Sequence, residues 1–224
     1  MNRQLEAIYT RLFAHFGAQH WWPQNGGAFE IIVGAILTQN TAWTNVERAL
    51  ANLRRAKLLA PARLHRVPRA RLARLIRPSG YFNLKAKKLH AFTEFLFARH
   101  RGSIARLFKL DIETLRDELL AVYGIGPETA DSIILYAANK PIFVVDAYTQ
   151  RVFARLGLSR AHAPYAELQS LFMDHLPRDE KLFNEYHALI VMLGKHICTK
   201  TQPRCGVCPL RDICPTGKNE PIVQ

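Results

Sequence analysis

Apolar residues recur at intervals of three and four along almost the whole chain, the spacing that lays a single stripe along a helix. Near the N-terminus Leu5, Ile8, Leu12, Phe13 and Phe16 share one side, and Phe29 to Leu37 is apolar almost without interruption. Trp43, Val46, Leu50 and Leu53 mark the next helix, and Leu89, Phe92 and Leu96 the inward side of a long one from Leu84 to His100. Between these, Pro61 and Pro68 punctuate two short helices with arginines on their outer faces. Ile112, Leu115, Leu119 and Leu120 predict another helix, and Ala130, Ile133, Ile134 and Ala137 one running from Pro127 to Ala138. A helical segment from Ala147 to Leu156 precedes two more amphipathic helices. The first is lined by Tyr165, Leu168, Leu171, Phe172 and Leu176, the second by Leu182, Phe183, Tyr186, Leu189, Ile190 and Leu193. Almost nothing alternates with a period of two, and only Ile142 to Val145 looks like a strand. The expected fold is all-α.

The interruptions are as informative as the stripes. Tyr123-Gly124-Ile125-Gly126 separates two helical patterns with two glycines around one apolar residue, and Pro127 suits the first turn of a new helix. This reads as helix, tight hairpin, helix, with glycines that let a partner approach and N–H groups that suit an anion. By itself it is also an ordinary helix–helix connection. Asp146 follows the apolar run at 142–145 and is, read alone, a helix cap. Thr38-Gln39-Asn40-Thr41 breaks an apolar run, Arg77 to Asn83 forms a turn, and Trp21-Trp22-Pro23 opens a loop. Caps and core packing account for each of these taken singly.

Charge narrows the class of partner. The 224 residues carry 31 Lys and Arg against 18 Asp and Glu, a net charge of +13 and a pI near 10. Such an excess favours a polyanionic partner whose binding weakens steeply with salt. The N-terminal helix lacks a signal-peptide core, and no apolar run is long enough to span a bilayer. A soluble, cytoplasmic, non-secreted monomer is expected, at the nucleoid of a bacterium or archaeon, without a membrane partner.

All four cysteines fall in one stretch, Cys198, Cys205, Cys208 and Cys214, with spacers of six, two and five residues. Disulfides are disfavoured in an intracellular protein. Four thiolates suit zinc, although zinc modules more often show two separated pairs. A single compact loop can instead wrap a cube-shaped iron–sulfur cluster.

Taken together, the string Val122 to Asp146 resembles the helix-hairpin-helix and Gly/Pro-Asp signature of the endonuclease III superfamily of DNA glycosylases. Two further stretches resemble the same superfamily. These are Ile36-Leu37-Thr38-Gln39-Asn40-Thr41 and Ser79-Gly80-Tyr81-Phe82-Asn83-Leu84-Lys85-Ala86-Lys87. The cysteine spacing is that of its iron–sulfur loop. The resemblance implies a two-lobed fold. Residues 29–139 would form a helical barrel ending in the hairpin (about 112–138), and residues 1–28 with 140–224 a lobe bearing the cluster loop at 198–214. Duplex DNA with a damaged base would lie across the groove between. Asp146 would assist cleavage of the base–sugar bond, Gly124 and Gly126 would hold a DNA phosphate, and Gln39 and Tyr81 would plug and wedge the duplex while a base is flipped out. Lys85 and Thr129 are placed with them as DNA contacts. The cofactor implied is a 4Fe-4S cluster on Cys198, Cys205, Cys208 and Cys214, with Lys195, Lys200, Arg204 and Arg211 facing phosphates.

One departure matters. Members that also cut the strand carry a Lys two residues after the second hairpin glycine, and here that residue is Glu128. A carboxylate cannot form a Schiff base, so a monofunctional glycosylase using water is expected, with Glu128 orienting that water or capping the helix. Trp-Trp-Pro, Thr-Gln-Asn-Thr and Gly-Ile-Gly-x-Glu-x-Ala-Asp look most like the 3-methyladenine DNA glycosylase branch. That implies an aromatic slot walled by Trp22, Pro23 and Trp43. The rival readings are an endonuclease III-type enzyme on oxidised pyrimidines, a mismatch glycosylase, and a DNA-binding protein without catalysis.

Overall fold

A computed structural model describes residues 1–21 and 27–219 of the chain. In chain order its helices are α1 (Asn2–Phe16), α2 (Ala28–Leu37), α3 (Trp43–Arg55), α4 (Pro61–Arg66), α5 (Arg69–Leu75), α6 (Phe82–His100), α7 (Ile104–Leu107), α8 (Ile112–Leu120) and α9 (Pro127–Ser132). They continue with α10 (Ala147–Arg155), α11 (Tyr165–Met173), α12 (Glu180–His196) and α13 (Pro215–Asn219). There is no strand among the described residues, so the fold is all-α as expected. The chain forms two units, Trp22–Lys140 and Met1–Trp21 with Pro141–Gln224.

In the first unit, α2 is buried along nearly its whole length, from Phe29 to Leu37. A helix that is apolar all round belongs inside, surrounded by its neighbours. Here it packs against α3, α6, α9 and the segment that continues α9. The sequence predicts one regular helix from Pro127 to Ala138, but its second half, Ile133–Ala137, is a π turn, with the Ala138 N–H bonding Ile133 O at 3.1 Å. Ile133, Ile134, Leu135, Tyr136 and Ala137 are all buried. Single π turns of this kind occur frequently at functional sites.

Caps fix where helices begin. Asp111 accepts from Thr114 N–H at 2.9 Å at the start of α8, and Asp179 accepts from Lys181 and Leu182 at the start of α12. Pro61 and Pro127 occupy first turns, where a missing N–H costs nothing.

The second unit has α12 at its centre, packed on α1 and α10. Phe143 stacks on Phe172 at 3.7 Å, and Phe153, Phe183 and Tyr186 close around the pair. The strand-like run at 142–145 is buried, yet it has no regular secondary structure and pairs with no strand among the described residues. Side chains answer its backbone instead: Phe143 N–H meets Met173 Sδ at 3.2 Å, Gln169 donates to Phe143 O at 2.7 Å, and Val145 N–H reaches Tyr165 Oη at 3.4 Å. Buried backbone groups need partners, and here α11 supplies them.

Candidate functional site

The hairpin is built from α8, the turn at 121–126 and α9. Ile125 is buried and anchors the turn, while its two glycines have different reasons to be there. Gly124 sits at φ 83°, and a Cβ on it would collide with the Lys88 side chain, so both its backbone and its neighbour favour glycine. Gly126 is extended (φ −100°, ψ −179°), and a Cβ there would meet nothing within 4 Å. Nothing among the described residues demands glycine at 126.

Two devices hold the hairpin. Arg116 on α8 grips Asp131 on α9 with both prongs, Nε to Oδ1 at 2.7 Å and Nη2 to Oδ2 at 3.2 Å, and Asp131 is fully buried. The second device is Gln39, just beyond α2. Its amide donates to Gly124 O at 3.0 Å and to Thr129 Oγ1 at 2.9 Å, and its carbonyl accepts from Lys88 Nζ. Gln39, Gly124 and Thr129 are thus brought together, although both ends of Gln39 are engaged by the protein. Thr129 is buried against Gln39, so its side chain does not face outward as a DNA contact would.

The expectation for Lys85 requires correction. It is 2% exposed, and its ammonium donates to Leu37 O at 2.9 Å and Ser79 O at 2.6 Å. Burial lowers its pKa to about 8. Lys85 ties the turn before α6 to the end of α2 and presents no charge to a phosphate. The same turn leaves Tyr81 69% exposed, in left-handed backbone at φ 43°. An exposed aromatic held in a strained conformation signals a local role outside the core. Glu128 lies exposed in the first turn of α9. Trp43 opens α3, half-buried, and Trp22 and Pro23 lie outside the described residues.

In the second unit Asp146 caps α10. One carboxylate oxygen accepts from Thr149 N–H at 2.8 Å and from Thr149 Oγ1 at 2.9 Å. The other faces His187 Nε2 at 3.6 Å, an ion-pair distance rather than a hydrogen bond. Burial pushes the Asp146 carboxyl upward. The His187 imidazole and the two Thr149 donors outweigh it and hold the carboxyl below the usual carboxylate range. Asp146 is therefore an anion kept largely from water, its side chain 13% exposed.

His187 was not anticipated. It sits on the buried face of α12 among Phe183, Tyr186 and Ile190, with Trp21 at 5.8 Å and Phe143 at 6.4 Å from its ring. The available signal was an ionisable residue on an otherwise apolar face, which calls for a partner.

The cysteines lie beyond α12, in single 3-10 turns at Cys205–Val207 and Arg211–Ile213 and the loop around them. All four are thiols, partly exposed. Arg155 on α10 donates to Cys198 Sγ at 3.1 Å and Thr199 O at 2.7 Å, and Arg151 to Cys198 O at 2.9 Å. The Cys214 thiol donates back to Arg155 O at 3.3 Å, and Gly217 N–H donates to Cys214 Sγ at 3.4 Å. Both ends of the cysteine loop therefore hang from the helix that Asp146 caps. Burial and then the three other cysteines push the Cys208 thiol up to about 11. Four cysteines in one loop match in kind the thiolate set of an iron–sulfur cluster, whose irons would offset their charge. As placed, no three His, Cys, Asp or Glu side chains among the described residues could hold a metal ion.

Comparison with known proteins gives a consistent picture. Residues 33–178 match the family model described as HhH-GPD superfamily base excision DNA repair protein. A Methanocaldococcus jannaschii protein carrying the name "Putative DNA repair glycosylase" is 46% identical over 209 residues, covering 92% of this chain and 94% of that one. A non-covalent endonuclease III–DNA complex superposes with a TM-score of 0.84 at 24% identity, covering 97% of both chains. The H. pylori 3-methyladenine DNA glycosylase bound to 1,N6-ethenoadenine does so with a TM-score of 0.73 at 29% identity, covering 86% of this chain and 96% of that one.

Proposed function

This chain belongs to the HhH-GPD superfamily of base excision DNA repair proteins, and we propose that it is a monofunctional member releasing alkylated purines. That it is a DNA glycosylase of this family follows from the comparisons. The finer reading concerns chemistry and substrate.

The observation that carries it is a carboxylate, Glu128, at the position where strand-cutting relatives need an amine, with Asp146 ionised and largely kept from water. As the C1′–N bond breaks, its electron pair leaves with the base and positive charge develops on the sugar. Asp146 faces that charge as an anion, and water adds its oxygen to C1′ while its proton passes to solvent. A base alkylated on a ring nitrogen already carries a positive charge and departs neutral, so no acid has to protonate it. One carboxylate is then enough. Two lysines of the first unit are already engaged: Lys85 is buried on two carbonyls and Lys88 donates to Gln39.

Similarity to the H. pylori enzyme supports an alkylated purine. Indole rings suit a cationic purine by a cation–π term. Trp22, Pro23 and Trp43 are the proposed walls. Gly126 is proposed to leave room for a DNA phosphate at the hairpin, with Tyr81 as the wedge. Cys198, Cys205, Cys208 and Cys214 would hold a 4Fe-4S cluster, which when bound would fix the loop hanging from Arg151 and Arg155.

A panel of duplexes, each with one lesion (3-methyladenine, 7-methylguanine, thymine glycol, uracil, a G·T mismatch), tests the reading. Release confined to the alkylated purines, and lost in Asp146→Asn, is expected. Release of thymine glycol or mismatched thymine in preference to both alkylated purines would overturn it.

A further inference from the structure

The positive charge of this chain is not spread over it. Between Glu47 and Glu94 lie nine Arg and four Lys and no Asp or Glu, whereas the other 178 residues carry 18 basic and 18 acidic side chains. The whole excess of +13 therefore resides in α3 to α6.

Structure turns this stretch into a surface. All nine arginines, at 48, 54, 55, 63, 66, 69, 71, 74 and 77, are exposed. Among them only Arg54 has an acidic partner among the described residues, Glu30. A solvated helix face ordinarily interleaves both signs, which lets neighbours offset each other. Here like charges crowd together, a self-repulsion that a polyanion relieves. The face also runs into the hairpin. Arg69 on α5, Lys87, His90 and Glu94 on α6, and Tyr123 at the hairpin turn line one open cavity of about 540 Å³. Lys87 Nζ lies 4.2 Å above the Tyr123 ring, which is itself half exposed.

We propose that this arginine face is a second DNA-binding surface, holding the backbone of the duplex beyond the damaged base and continuous with the hairpin through the Arg69–Lys87 cavity. The ligand is the phosphate backbone of double-stranded DNA. Guanidinium groups without carboxylate partners grip phosphates at no cost in broken ion pairs. The inference rests on the chain's being a DNA glycosylase, not on which base it releases, so its test uses undamaged duplex.

The triple variant Arg69→Gln, Arg71→Gln, Arg74→Gln removes three exposed charges while keeping good helix formers on α5. A control with the same charge change, Arg3→Gln, Arg178→Gln, Lys181→Gln, alters exposed residues of the other unit. Thermal melts confirm that both fold. Affinity for duplexes of about 12 and about 30 base pairs is then measured from about 50 to about 200 mM salt. Three lost phosphate contacts should flatten the slope of log K against log salt by about 2.7, since each contributes ~0.9. Across that fourfold range the α5 variant should therefore lose roughly 40-fold less affinity than wild type. Its deficit at low salt should be larger on the longer duplex, and the control should keep the wild-type slope. Equal flattening by both variants would mean that net charge alone matters and would overturn the proposal. So would an unchanged slope in the α5 variant.

Discussion

The Arg116–Asp131 clamp makes a sharp and asymmetric prediction about what holds the hairpin. Asp131 is fully buried, whereas the side chain of Arg116 is 27% exposed. Replacing Arg116 with Leu strands a carboxylate in the interior, and breaking a buried pair from that side costs about 3–5 kcal/mol. Replacing Asp131 with Leu is milder, because the guanidinium can swing into water and only the paired hydrogen bonds and packing are lost, about 1–2 kcal/mol. For a chain of this size each kcal/mol moves the midpoint of melting by about 2–4 °C. Arg116→Leu should thus melt roughly 6–20 °C lower than wild type, and Asp131→Leu roughly 2–8 °C lower. Removing both partners should recover most of the difference, since no charge is then left behind. Urea and thermal unfolding of the four proteins give the full cycle, with hydrogen exchange at 112–137 locating the loss in the hairpin. Equal losses in the two single variants, or additive losses in the double, would refute the reasoning, because either would mean that burial of the carboxylate is not what sets the cost.

Three more expectations follow from the site. Gly124→Ala forces a non-glycine residue to φ 83° against Lys88 and should lose about 1–2 kcal/mol of stability. Gly126→Ala should instead melt like wild type and weaken duplex binding, so a loss of stability at 126 would count against its proposed role. For His187→Phe, removing a group that lowers the Asp146 pKa should move the acid limb of the base-release profile to higher pH. The sign is that of a depressed carboxyl: its contribution to stability is present above the unfolded pKa and lost as pH falls through the folded one, and the variant loses it at higher pH. An unmoved limb would mean that His187 does not act through Asp146. Protein purified without oxygen should be brown, absorb near ~400 nm and contain iron and sulfide rather than zinc.

How much of this was legible in the sequence depends on the range of the interaction. The helices were, because a stripe at three- and four-residue spacing is local. So was the hairpin, where Gly124, Gly126 and Pro127 dictate a turn and a new helix within five residues. What failed needed the third dimension. Lys85 looked like a surface cation because lysine usually is one, and only the fold shows that two carbonyls, one from α2, close over it. Thr129 looked available until Gln39, 90 positions earlier, took its hydroxyl. His187 was hidden for the opposite reason: it falls on a face that periodicity assigns to the core, and its partner Asp146 is on another helix. The π turn at Ile133–Ala137 was also invisible, since a run of successive buried residues sits equally well in a regular helix, as Ile32 to Leu37 do in α2.

The central claim is that this enzyme breaks one bond and not two. A duplex carrying a single 3-methyladenine, incubated with the protein and split between alkali, neutral buffer and sodium borohydride, tests it directly. The account predicts base release in every arm, strand breakage only after alkali, and no protein–DNA adduct. A covalent adduct with borohydride, or a nicked strand at neutral pH, would contradict it.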